Sequence, residues 1–85
     1  MYKIVFTKEA ARAIQRMPQN VARSIREKLR EIAQDPFASH PNTTKLQGRP
    51  GYRLRVGDWR VIYDIKPTEV VVIVLKIARR GEVYR

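Results

Sequence analysis

The segment from Tyr52 to Tyr63 constrains the fold more than any other part of the chain. Its sequence, YRLRVGDWRVIY, alternates polar and apolar residues on both sides of a Gly57-Asp58 pair. Alternation at period two is typical of β-strands, and Gly-Asp suits a two-residue II′ or I′ hairpin turn. The pattern therefore predicts a tight β-hairpin centred on Gly57-Asp58.

This hairpin would place Arg55 directly opposite Arg60, with Arg53 on the same face. Directly opposed like charges destabilise a strand pair by about a few tenths of a kcal/mol. An anion held between the guanidinium groups would remove that repulsion. The hairpin thus predicts a site for a phosphate group, although a solvated outer sheet face explains any single one of these arginines equally well.

Positive charge is the strongest global signal of the composition. Eighteen Lys and Arg against eight Asp and Glu give a net charge of +10 in 85 residues. Such a surface favours a polyanionic partner, namely nucleic acid, an anionic membrane or an acidic protein. The excess is spread over both halves of the chain, with one local concentration. The basic residues of that concentration are Lys45, Arg49, Arg53, Arg55 and Arg60.

Several classes of protein are excluded by what the sequence lacks. With one histidine and no cysteine, the chain has none of the usual zinc ligand sets, and it has no glycine-rich nucleotide loop. The longest apolar run, from Val70 to Leu75, is too short to span a bilayer. The first residues lack the apolar core of a signal peptide. We expect a cytoplasmic protein that uses neither a metal nor a cofactor.

The residues before the hairpin predict a strand followed by two helices. Residues 2–6 alternate in a β-like pattern, and Thr7 suits a helix N-cap. Pro18 should end the first helix, Asn20 should cap the second, and Asp35-Pro36 should terminate it. Because almost nothing separates the helices, we expect an antiparallel helical hairpin. Its apolar residues are Ala10, Ala11, Ile14, Met17, Val21, Ile25, Leu29, Ile32 and Ala33.

A nearly continuous apolar strand from Val70 to Ala78 follows the hairpin after a turn at residues 66–69. Continuous hydrophobicity indicates burial on both faces and a place inside the sheet. A short strand is also expected at Lys45-Leu46. The order is βααβββ(β), and we predict a single α+β domain over residues 1–85. Its helical hairpin packs on one side of a small, mostly antiparallel sheet.

The turn before the last strand determines where the C-terminus should lie. If this strand pairs back along the second arm of the hairpin, its end reaches the Gly57-Asp58 turn. Arg79, Arg80 and Tyr84 would then emerge beside the hairpin arginines. Arginines next to an aromatic ring form a surface that grips phosphates while a base stacks on the ring.

The element order and two segments, KLQGRPGYRLRVGDWRVIYDI and VLKIARRGEVYR, resemble the RelE/ParE superfamily of bacterial and archaeal type II toxins. The resemblance covers essentially the whole chain and is closer to the RelE branch, whose members cut messenger RNA in the ribosomal decoding site. It implies a metal-independent endoribonuclease that inhibits translation. The implied partners are the ribosome, mRNA and a RelB-like antitoxin with an amphipathic helix or an acidic segment.

The resemblance also implies roles for individual residues. Arg53 and Arg55 fall where RelE toxins commonly hold basic residues, often lysines. Arg60 matches the hairpin arginine of the family, Arg80 the arginine after the last strand, and Tyr84 the near-terminal tyrosine. In the family these groups align the RNA so that a 2′-hydroxyl attacks the adjacent phosphate. The residues expected to bind RNA around them are Lys45, Arg49 and Arg79.

One departure from the family keeps other functions open. A lysine at position 55 could act as a general base, whereas an arginine, which stays protonated at physiological pH, can scarcely lose its proton. The alternatives are a ParE-like inhibitor of DNA gyrase, a catalytically weak binding module and, less strongly supported, a generic DNA-binding protein. Ile14 and Met17 either offer apolar surface to an antitoxin or pack in the core.

Overall fold

The computed structural model describes residues 1–80, in which two helices pack on one face of a five-stranded sheet. The strands are β1 (Lys3–Phe6), β2 (Thr43–Lys45), β3 (Tyr52–Val56), β4 (Trp59–Lys66) and β5 (Val71–Arg79), and the helices are α1 (Lys8–Arg16) and α2 (Gln19–Gln34). The sheet order is β1-β5-β4-β3-β2, with β1 parallel to β5 and the other pairs antiparallel. This confirms the predicted α+β architecture with a mostly antiparallel sheet.

The β3–β4 hairpin has the predicted register. Arg55 is the partner of Arg60 and Leu54 is the partner of Val61. Gly57 has a φ of +57°, whereas Asp58 has no positive φ. A positive φ at the first central residue alone is the pattern of a II′ turn, whose twist matches that of the flanking strands.

The helix boundaries lie where the sequence predicted them, except at the start of α2. Thr7 Oγ1 accepts a hydrogen bond from Ala10 N at 3.2 Å and donates one to Leu75 O at 2.9 Å, so it both caps α1 and ties it to β5. The N-cap predicted for α2 was wrong, because Pro18 takes that position and Asn20 lies inside the helix, whereas the predicted end of α2 at Asp35-Pro36 is confirmed. A proline suits this position because it has no N–H that needs a partner.

The main core lies between the helices and the sheet. Ile14 and Met17 are only 5% and 7% exposed, so they pack in this core and offer little apolar surface to another protein. Tyr63 is 1% exposed and stacks on Tyr52 with ring centroids 5.4 Å apart. Burial, and secondarily the neighbouring Tyr52, raises the pKa of Tyr63 to about 12. The phenol is therefore neutral at physiological pH.

The last strand lies inside the sheet, as predicted, but the prediction that both of its faces are buried was wrong. β5 lies between β1 and β4, inside the sheet. Only its helix-facing residues, such as Val72 and Val74, are fully buried, while Ile73 and Leu75 keep part of their surface. In residues 1–80 both helices lie on one face, so the other face is open. On that open face, within residues 1–80, Ile62 and Ala78 form a small apolar cluster against which Leu46 and Leu75 pack.

The predicted short strand near Lys45 is β2, shifted towards the N-terminus, and the loop after it depends on two glycines. Gly51 has a φ of +115°, its carbonyl accepts a hydrogen bond from Leu46 N, and a Cβ there would lie 3.0 Å from Tyr63 O. Gly48 also has a positive φ, of +76°, but a Cβ there would meet nothing within 4 Å. A side chain at Gly48 would therefore cause backbone strain alone, whereas a side chain at Gly51 would cause both backbone strain and steric overlap.

We expect Gly51→Ala to destabilise the protein more than Gly48→Ala. The Gly48 variant bears the left-handed backbone penalty of about 1–2 kcal/mol. The Gly51 variant adds overlap with a β4 carbonyl and should lose about 3 kcal/mol. Urea unfolding of both variants and the wild type measures the difference. Equal losses in the free energy of unfolding would show that the close approach of Gly51 to β4 does not add to the destabilisation.

Candidate nucleic-acid interface

Three arginines lie together on the open face of the β3–β4 hairpin, and we call them the arginine surface: Arg53, Arg55 and Arg60. The alternate residues of the same strands, Leu54 and Val61, are fully buried on the helical side. Arg55 is exposed, and Arg53 and Arg60 are half-buried. The pleat therefore places apolar side chains inside and guanidinium groups outside at the same point of the sheet.

Arg55 and Arg60 are positioned by backbone and amide groups rather than by carboxylates. Arg60 Nη1 donates to the carbonyls of Gly57 and Trp59, each at 3.1 Å, and so braces the turn. Arg55 Nη2 lies 3.4 Å from Asn42 Oδ1, and Arg55 N donates to Asn42 O at 2.9 Å. Neither guanidinium forms an ion pair with a residue among 1–80. Their full charge is thus available to an anion.

Asn42 is a site neighbour that sequence reasoning missed. It has a φ of +61°, and both its backbone carbonyl and its side-chain oxygen face Arg55. Asparagine tolerates the left-handed conformation better than most residues. That preference was the only available signal in the sequence, and it predicts a turn at Asn42 without predicting what the turn contacts.

Beside the arginine surface lies an open pocket of about 390 Å³. Lys45, Arg49 and Arg53 are among its lining residues, so the structure brings two of the predicted RNA-binding residues together with the first hairpin arginine. The remaining lining residues are Thr44, Leu46, Gln47. Leu46 also packs against the Ile62–Ala78 cluster, which gives the pocket an apolar side. The pocket can accept an anion and an apolar group together.

The C-terminal end of β5 reaches the hairpin turn, as predicted. Arg80 N donates to Asp58 O at 2.7 Å, which holds Arg80 beside the turn that Arg60 braces. Tyr84, the predicted stacking residue, lies outside the described residues. The backbone of β5 therefore delivers one further arginine to the neighbourhood of the arginine surface.

The predicted position of Arg79 beside Arg55 and Arg60 was wrong. Arg79 is the β5 partner of Trp59, and its guanidinium carbon lies 5.4 Å from the centroid of the Trp59 ring, a cation–π contact. Trp59 packs against the helix-side core. The β5 partner of Arg60 is Ala78, which therefore shares the open face with Arg60. Successive residues of a strand point to opposite faces, so the next residue, Arg79, lies on the helical side.

Asp58 lies in the hairpin turn, yet neither its carboxylate nor any other carboxylate of residues 1–80 forms an ion pair with Arg55 or Arg60. Asp64, further along β4, pairs with Lys66 at 3.5 Å. No group of three His, Cys, Asp or Glu residues that could hold a metal ion occurs within residues 1–80. Neither helix is long and apolar enough to cross a membrane. Chemically, this part of the surface can hold a phosphate through charged donors and can stabilise extra negative charge on it.

Sequence comparison decides the family. A family model described as ParE toxin of type II toxin-antitoxin system, parDE, matches residues 4–84. The chain belongs to the RelE/ParE superfamily of type II toxins. A search of curated proteins gives no significant match to this toxin.

Solved structures give the same fold. The toxin is similar to the E. coli RelE toxin crystallised alone, with 27% identity and a TM-score of 0.81 over 99% of this chain and 92% of that one. An archaeal RelE–RelB complex from Pyrococcus horikoshii OT3 is 29% identical, with a TM-score of 0.79 over 95% and 97% of the two chains. The intact E. coli RelBE complex, at 24% identity, has a TM-score of 0.82 over 96% and 100%.

The contacts of the two opposed arginines predict opposite effects on stability. Arg55→Gln removes the repulsion at the loss of one long, exposed contact with Asn42 Oδ1, and should raise the free energy of unfolding by about a few tenths of a kcal/mol. Arg60→Gln removes the same repulsion but also the donor to the Gly57 and Trp59 carbonyls, and should lower it by about 1 kcal/mol. Urea unfolding in a buffer without phosphate or sulfate measures both. Equal shifts for the two variants would contradict the bracing role of Arg60.

Proposed function

We propose that this toxin is a ribosome-dependent mRNA endonuclease that inhibits translation. The observation that carries the proposal is the opposed Arg55–Arg60 pair, which has no carboxylate partner in residues 1–80 and has Arg80 next to the same turn. A like-charged pair of this kind is favourable once a phosphate lies between the two groups. The similarity to RelE toxins at 27% and 29% identity supports the same function.

In the proposed reaction the 2′-oxygen of a ribose attacks the adjacent phosphorus. A 2′,3′-cyclic phosphate forms, the bond from phosphorus to the 5′-oxygen breaks, and that oxygen takes up one proton, which balances the proton lost by the 2′-hydroxyl. Arg55 and Arg60 hold the phosphate and stabilise the second negative charge of the phosphorane, while Arg80 and Arg53 add donors at its edge. Tyr84 would stack on the base beside the scissile bond and keep the attacking oxygen in line.

Proton transfer is the step that the arginine surface does not supply. A guanidinium is already protonated at physiological pH, so none of these arginines accepts the 2′-hydroxyl proton. We assign that role to the ribosome or to the RNA that the ribosome positions, so the toxin depends on its ribosomal partner. This assignment agrees with electrostatic stabilisation as the main contribution of the protein.

The proposed partners follow from charge and from the solved complexes. The E. coli and P. horikoshii toxins were crystallised with RelB antitoxins. We propose a cognate antitoxin for this toxin as well, with an acidic or amphipathic segment that covers the arginine surface. A net charge of +10 favours such a segment and favours RNA for the same reason. Both partners are available in the cytoplasm, where we place the toxin.

One observation favours a second candidate, inhibition of DNA gyrase. The matching family model is described as a ParE toxin, whereas the structures with 27% and 29% identity are RelE toxins. A gyrase inhibitor needs a binding surface but no in-line attack on RNA. The two functions are therefore separated by whether the arginine surface is required for the cleavage of a message on ribosomes.

We expect wild-type toxin to cleave a message on purified ribosomes and Arg60→Gln to cleave it about 10²–10³-fold more slowly, since one donor to the developing charge is lost. Tyr84→Phe should keep most of the rate, and Tyr84→Ala should lose about 1–3 kcal/mol of stacking. Single-turnover cleavage, with thermal melting of each variant, measures these effects. Arg12→Gln, an exposed change on α1, is the matched control and should cleave normally.

Two outcomes would contradict the proposal. A folded Arg60→Gln toxin that cleaves at the wild-type rate would show that the arginine surface does not hold the scissile phosphate. Wild-type toxin that leaves messages intact on ribosomes but stops supercoiling by purified gyrase would replace the proposal with the second candidate.

A further inference from the structure

A second row of positive charge lies on α2, which we call the α2 stripe: Arg23, Arg26 and Arg30. Their spacing of three and four residues places them on one side of the helix. At a rise of about 1.5 Å per residue, the row is about 10 Å long. All three residues are exposed. The helix thus presents a straight line of guanidinium groups to its surroundings.

The α2 stripe is not neutralised by the fold. The ion pairs among residues 1–80 join Lys66 to Asp64 and Lys76 to Glu9, and neither involves α2. Glu27 follows Arg23 by four residues, a spacing at which the two could pair, yet they do not. Like charges at these spacings destabilise an isolated helix by about 0.2–0.5 kcal/mol per pair. Repulsion within the α2 stripe therefore destabilises the helix, and a bound anion would remove that repulsion.

The groove beside the α2 stripe indicates what kind of anion fits. It has a volume of about 390 Å³, and its polar lining includes Gln15 and Gln19 as well as the three arginines. Its apolar lining residues, Ile14, Met17 and Ala22, are at most 7% exposed. A protein segment docks through apolar anchors in the centre of its interface, and this groove offers almost none. It also contains no aromatic ring on which an unpaired base could stack.

We propose that the α2 stripe binds the phosphate backbone of double-stranded RNA. Charged and amide donors without apolar or aromatic contacts suit sequence-independent recognition of a backbone. The α2 stripe lies on the helical side of the sheet and the arginine surface on the open side, in a molecule of 31 × 27 × 24 Å. The inference rests on the proposed function and extends it. The toxin contacts structured ribosomal RNA with one face and the unpaired message with the other.

The test uses a short RNA hairpin duplex of arbitrary sequence as its probe. Toxin binding is measured by fluorescence anisotropy at several salt concentrations for the wild type and for the triple variant R23Q/R26Q/R30Q. Three lost phosphate contacts should reduce the slope of log K against log salt by about 2–3. The matched control is K3Q/K8Q/R12Q, which removes the same charge from exposed positions outside both surfaces. Its slope should change by less than about 1.

The same variants are then assayed for cleavage on ribosomes. For the triple variant we expect a KM raised at least tenfold with kcat nearly unchanged, because the arginine surface is intact. Duplex binding is measured without cleavage, so it tests the α2 stripe even if the toxin proves not to be a nuclease. Thermal melting confirms that each variant is folded.

Three results would overturn the inference. The triple variant could bind the duplex with the wild-type slope. The slope of log K against log salt could fall as much for the control as for the triple variant, which would mean that only the net charge determines duplex binding. Alternatively, the triple variant could bind the duplex normally and lose affinity for the protein encoded next to the toxin gene, which would assign the α2 stripe to a protein partner.

Discussion

The insertion of β5 between β1 and β4 is the interaction on which the rest of the structure depends. It pairs in parallel with the first strand and in antiparallel with the hairpin, so residues from both ends of the described chain meet in one sheet. The hydrogen bond from Thr7 to Leu75 O fixes the start of α1 to this strand. The bond from Arg80 N to Asp58 O fixes the other end of the strand to the hairpin turn. The candidate site is therefore built where three separate segments are joined.

The sheet tolerates the opposed arginines because burial of apolar side chains on its helix-facing side stabilises the same strand pair. Leu54 and Val61, which alternate with them, are at most 1% exposed. Full burial of such side chains contributes about 1.5–3 kcal/mol each, against about a few tenths lost to the Arg55–Arg60 repulsion. The core therefore sets the register, and the arginines remain opposed even without an anion. A preformed site of this kind needs little reorganisation when a phosphate binds.

Those parts of the fold that depend on local pattern were predictable from the sequence. Gly57-Asp58 with alternating flanks gave the hairpin register, and Thr7 gave the start of α1. The position of Arg79 was not predictable, because it depends on the bulge at Ile62/Tyr63, where Leu75 is an extra residue in β5. Such a bulge changes which residues lie opposite each other and leaves no clear mark in an apolar strand. The contact of Asn42 with Arg55 joins a loop to a strand, which no local pattern encodes.

The choice of arginine over lysine at these positions also limits what the protein alone can do. Guanidinium groups hold phosphates in fixed geometry and stay charged, but they do not act as general bases at physiological pH. Within residues 1–80, Arg55, Arg60 and the α2 stripe have no carboxylate partner, and they lie on the two sides of one sheet. If the proposed function holds, such a protein positions and stabilises RNA and obtains the proton acceptor from its partner. Under the proposed function, dependence on the ribosome follows from the residue types themselves, because guanidinium groups alone can hold an RNA phosphate but cannot accept the proton of the attacking 2′-hydroxyl.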